Sequence, residues 1–219
     1  MDPAGDLDDA PLGRRAPSTI DDNDSDDEVD IDIANAVTNG QCAVFVNLLT
    51  RVSTSSIRIC CAILHTVDHA RATSDLQPIR SILDSGRCRS RAQAAALASA
   101  IDSSAKAIVS LGYVELLDLV GAETVTRWCL GAQSAGILSA AARVYDYKAP
   151  YRGGAVAARL MTNGAAPTSA AMAAVLNRFA PDPRAPEVVA VFDRWRGAPE
   201  LQAALAGIPT YCAGAAWGL

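Results

Sequence analysis

The chain has only two histidines, and both stand in one ten-residue stretch, "CCAILHTVDH" at 60–69. On a helix, Cys61, His65, Asp68 and His69 fall at i, i+4, i+7 and i+8, so they share a face. Two imidazoles and a thiolate are the donors a zinc ion prefers. A histidine pair at this spacing also recurs on ordinary solvated helices, and a third ligand would have to come from a turn away or from another helix. The sequence reading therefore assigns no metal and no cofactor, and keeps Cys61, His65 and His69 as the candidate ligands.

A second constellation is "RVYDYKAPYRGG", residues 143–154, which gathers Tyr145, Tyr147 and Tyr151 with Arg143, Lys148 and Arg152. Flat rings interleaved with cations suit a single-stranded nucleic acid, because bases stack on the rings while the charges follow the phosphates. The competing reading is a loop whose tyrosines pack their rings on the body and leave the hydroxyls wet. "SGRCRSRAQ" adds Arg87, Arg89 and Arg91 at an expected helix start, where cations oppose the helix dipole and favour an anionic partner. "FDRWRG" at 192–197 repeats the alternation, but Phe192 and Trp195 at i, i+3 read as a core edge.

Standard catalytic signatures are missing. No "GxxxxGK[ST]", "GxSxG" or "GxGxxG" occurs, and no histidine outside the 65–69 pair is there to activate a serine. "HTVDH" resembles an inverted zincin motif with Asp68 in place of its glutamate, one methylene short, and the rest of a metalloprotease signature is absent. The expectation is a protein that is not an enzyme.

The elements that must position these residues read as helices. Residues 1–33 carry twelve carboxylates against Arg14 and Arg15, a net of −10, whereas residues 34–219 carry twelve carboxylates against seventeen Lys and Arg, a net of +5. A segment so poor in apolar side chains cannot offset its ordering entropy, so 1–33 is expected to be a disordered acidic tail. Residues 34–207 are expected to form an all-α domain, a compact bundle of about eight to ten short to medium helices, with 208–219 as a C-terminal tail.

Helix starts and stops are marked along the body. The first helix is expected near 41–51, and the second over 57–71 with Ile57, Cys60, Leu64 and Val67 as its buried stripe. Ser74 is read as opening a third helix, with Pro78 in the first turn. Ser90 and Gln93 form a capping-box pattern for an alanine-rich helix reaching about Leu111. A short helix at "YVELLDLVG" precedes a longer one from Glu123 to about Arg143. Pro167, Pro186 and Pro199 mark three later starts. Six irregularly spaced cysteines without a secretory signal read as reduced core thiols. The absence of a long apolar run predicts no membrane span and an intracellular, cytoplasmic protein.

Within the tail, "DEVD" at 27–30 matches an executioner-caspase tetrapeptide, Ser25 before "DDE" resembles an acidophilic-kinase site, and "VDIDI" resembles a SUMO-interacting strand. Each pattern is short, and a self-shielding tail that competes for a basic surface explains the same residues. A helical body with a floppy arm is similar to the plan of viral nucleocapsid and filament coat proteins. "TVTRWC" at 124–129 resembles the Arg-and-Cys segment of flexible filamentous coat proteins, although their "FDFF"-like signature is absent. No family is assigned; the expectation is a packaging protein of the cytoplasm or a virion that self-associates and binds RNA or another single-stranded nucleic acid through Arg87, Arg89, Arg91, Arg143, Tyr145, Tyr147, Lys148, Tyr151 and Arg152. The alternative is a regulatory bundle that takes a partner helix into an apolar groove, as apoptosis-modulating bundles do; "LASAIDSS" at 97–104 has a leucine and an aspartate at the spacing of their ligand helix.

Overall fold

A computed structural model describes residues 24–39, 41, 44, 47, 55–85, 90–144, 152–179 and 184–207. Among them are twelve α-helices and no strand. The fold is all-α, as the helical periodicity predicts. Of the helix expected near 41–51 only Gln41, Val44 and Asn47 are described, and residues 1–23 and 208–219 lie outside the described set.

The first helix, α1 (Asp24–Thr38), takes in the last ten residues of the expected tail. Ile33, Ala36 and Val37, at i, i+3 and i+4, are buried in the common core. The first helix therefore begins before residue 33, where the tail was expected to end. Burying a large aliphatic side chain contributes about 1.5–3 kcal/mol. The "DEVD" and "VDIDI" motifs are therefore helical in this fold, whereas strand addition reads extended backbone.

Next comes α2 (Ser56–Thr73), capped by Ser55, whose Oγ accepts from the Arg58 N–H at 3.4 Å. Its buried row is Ile59, Ala62, Ile63, Thr66, Val67 and Ala70. Of the expected stripe only Val67 is core; Ile57 is 75% and Leu64 41% exposed. Several apolar rows wind around this helix, and the one buried includes the small residues Ala62 and Ala70. Ser74 does not open the next helix. It closes α2 in the left-handed region at φ 63°, its N–H bonded to the Ala70 carbonyl, and Asp75 takes over the cap of α3 (Gln77–Ser85) by accepting from the Gln77 N–H at 2.9 Å.

The Ser90–Gln93 capping box is formed in both directions and starts α4 (Arg91–Ser103). The single helix expected as far as Leu111 breaks at buried Ser104, whose Oγ meets Cys60 Sγ at 3.2 Å; α5 (Ala105–Val109) follows. Beyond Gly112, at φ +79°, lies α6 (Val114–Val120). The rod expected over Glu123–Arg143 is two helices, α7 (Ala122–Leu130) and α8 (Ser134–Ala142), separated at Gly131. Then come α9 (Arg152–Thr162), α10 (Ser169–Phe179), α11 (Pro186–Trp195) and α12 (Pro199–Ala206), the last two with proline at the first turn.

Two helices organise the packing. Around α2 lie α1, α3 and α4; around α9 lie α8, α10 and α11, with α6 and α7 at its flank. Small residues make α9 the centre: Gly153, Gly154, Val156, Ala157, Ala158, Leu160 and Met161 are all buried. A Cβ at Gly153 would stand 2.7 Å from both the Ala141 carbonyl oxygen and Val144 Cβ. Glycine is the residue that permits this approach.

Candidate nucleic-acid interface

At Gly153 the chain closes a pinch. A Cβ on Gly112 would meet Val144 Cγ1 at 2.9 Å and Arg152 Cβ at 3.2 Å, so Val144 and Arg152, the two described flanks of segment 145–151, converge on one point. Tyr145, Tyr147, Lys148 and Tyr151 lie outside the described residues. Their flanks carry two of the expected cations. Arg143 is exposed, and half-buried Arg152 places its guanidinium 4.2 Å from the ring centroid of Tyr113.

Tyr113 was not singled out by sequence, because it stands far upstream, in "LGYVELL". The available signal was Gly112 before it: a glycine at positive φ marks close backbone approach, and that approach brings the tyrosine to Arg152. The cation–π contact keeps both a flat ring and a positive charge at the root of the segment, with a strength of about 0.5–1 kcal/mol at exposed sites.

Arg91 is exposed at the start of α4, a helix that packs on α2 and α5, whereas Arg152 opens α9. The two expected cationic groups thus sit on elements with different packing partners. Arg87 and Arg89 lie outside the described residues. Other arginines are engaged by the domain's own carboxylates: Arg71 with Asp68, Arg80 with Glu115, Arg127 with Asp102, and Arg159 with Asp118. None of these pairs uses Arg91 or Arg143.

"TVTRWC" is structural here. Asp102 Oδ1 accepts from Trp128 Nε1 at 2.7 Å and from Arg127 at 3.0 Å, tying α4 to α7 beside a cavity of about 260 Å³. Asp102 belongs to "LASAIDSS", and Leu97 and Ile101 of that stretch are buried, so its apolar residues are already committed to the core. Buried Cys129 donates to the Leu160 carbonyl at 3.3 Å, and burial pushes its thiol above the ordinary range, which keeps it protonated and inert. The expectation of core thiols holds for Cys129; Cys60 is half-buried and Cys61 exposed, and none of the three is in a disulfide.

His65 is exposed and His69 half-buried, and with Asp68 they line a groove of about 320 Å³ between α2 and the last turns of α1. Among the described residues no three His, Cys, Asp or Glu side chains converge to hold a metal. Cys61 therefore does not complete a three-ligand set with the histidines. No helix among the described residues is long and apolar enough to cross a membrane.

Comparison with known proteins finds no matching family model, curated protein or solved structure. A functional reading consequently rests on side-chain chemistry alone.

Proposed function

We propose that this chain is a non-enzymatic packaging protein that self-associates and binds RNA or another single-stranded nucleic acid, in the manner of a nucleocapsid or coat protein. The observation that carries the reading is Arg152 stacked on Tyr113 at the point where both flanks of the tyrosine- and lysine-bearing segment converge. A guanidinium on a ring offers an unpaired base something to stack on and a phosphate something to pair with. Exposed Arg143 extends the same charge. The acidic residues of 1–23 act as a tethered competitor for these cations, and phosphorylation of Ser25 at the start of α1 adds negative charge next to them. A cytoplasmic or virion location follows from this role.

Fluorescence anisotropy with a labelled single-stranded RNA across a salt series tests it. Affinity should fall steeply with salt, as counterion release requires, and removal of residues 1–23 should raise it at low salt. Tyr113→Leu, which removes the ring beneath the Arg152 guanidinium, should weaken binding by about 0.5–2 kcal/mol, the size of the cation–π contact. Affinity that is absent, or insensitive to both salt and Tyr113, would reject the proposal.

A second reading has its own observation. Ile57 and Leu64 are exposed on the outer face of α2, with Cys61 beside them, as expected of a regulatory bundle that takes a partner helix. Binding of that kind survives high salt.

A further inference from the structure

The groove beside α2 gathers both imidazoles of the chain. His65 and His69 are separated by one helical turn, and both line the cavity closed on its other side by Ala34, Val37 and Thr38 of α1. Residues at i and i+4 lie one above the other, which is the spacing at which two imidazole nitrogens reach one ion. His69 also has a carboxylate nearby: its Nε2 is 3.7 Å from Asp75 Oδ2, too far for a hydrogen bond, and the other oxygen of that carboxylate accepts from the Gln77 N–H at the start of α3. A carboxylate at this distance acts through its charge, which favours a cation beside the ring.

Neighbouring acids do not complete a cage. Asp68 faces Arg71 at 3.1 Å, and among the described residues no third ligand converges. We propose that His65 and His69 form an open two-nitrogen site for a divalent transition ion of imidazole preference, with water filling the remaining positions. Imidazole suits Cu²⁺, Ni²⁺ and Zn²⁺, while Mg²⁺ and Ca²⁺ select oxygen donors. Both ligands belong to one turn of α2, so the ion staples that turn in the folded state and stabilises the fold in proportion to its concentration.

Because the chain holds only two histidines, the test is direct. The full chain, labelled with ¹⁵N-histidine, is titrated with ZnCl₂ while ring nitrogen resonances are followed by NMR. Both rings should move together and saturate at one equivalent, MgCl₂ should move neither, and NiCl₂ should raise the melting temperature. His65→Ala, at an exposed position, should abolish the saturable shift of His69, and Asp75→Asn should weaken the apparent affinity by up to about fivefold. Movement of one ring alone, or unchanged zinc binding in His65→Ala, would overturn the proposal. So would loss of the ring shifts in Cys61→Ser, which would assign the ion to a thiolate.

Discussion

The surroundings of α2 and of α9 solve the same problem in opposite ways. On α2 a single row is buried, and the opposite face leaves Ile57, Cys61, Leu64, His65 and Asp68 to solvent. On α9 seven of eleven residues are buried, and Arg159 is its one exposed residue. A helix enclosed on nearly all sides must be built from small side chains, and it can present chemistry only at its ends. One that is half enclosed keeps a face for ligands. The proposed ion site lies along the flank of α2, and the proposed nucleic-acid contact lies at the first residue of α9.

The contrast can be broken most sharply by truncating one leucine in each. Leu160→Ala empties a position on α9 that is 1% exposed, and should cost about 2–5 kcal/mol. Leu64→Ala, on the open face of α2, should stay within about 0.5 kcal/mol. Denaturant midpoints measure both, and comparable losses would mean that α2 is covered after all. Gly153→Ala probes the closeness of α9 to its neighbours: the new methyl meets a carbonyl oxygen and Val144 Cβ at 2.7 Å, and overpacking of this kind costs about 1–3 kcal/mol. The same substitution at Gly207, whose nearest contact is 3.5 Å, should be tolerated. Smallest is Ser90→Ala, which removes the cap on the helix packed against α2 and should cost about 1 kcal/mol, with Ser90→Gly costing only a few tenths.

Local signals carried much of the fold. The Ser90–Gln93 box, the prolines opening α11 and α12, and Gly112 all act within a turn of their own position, so the sequence states them directly. Tertiary choices were not legible. Ile57 and Leu64 are as apolar as Ile59 and Ile63, and which pair is buried depends on how closely α1 and α4 approach, information spread over alanines in three helices. Ser74 illustrates the same limit, since a serine before a helix-like run serves equally well to end one helix or begin another. Half of the candidate interface was legible as composition, through Arg143 and Arg152. Tyr113 was not, because only the pinch at Gly112 and Gly153 makes it a neighbour. Where the acidic tail ends was not legible for a related reason: three modest apolar residues, Ile33, Ala36 and Val37, seat the end of α1 in the core.

The meeting of Val144 with Gly153 has a consequence for how this chain can change. Residues 145–151 depart from and rejoin the framework at almost one place, so the helices on either side do not register how much chain lies between them. Lengthening a connection whose ends already touch adds only about 0.6 kcal/mol for each doubling. Insertions or deletions between Val144 and Arg152 should therefore leave the twelve helices in place and shift the melting temperature little.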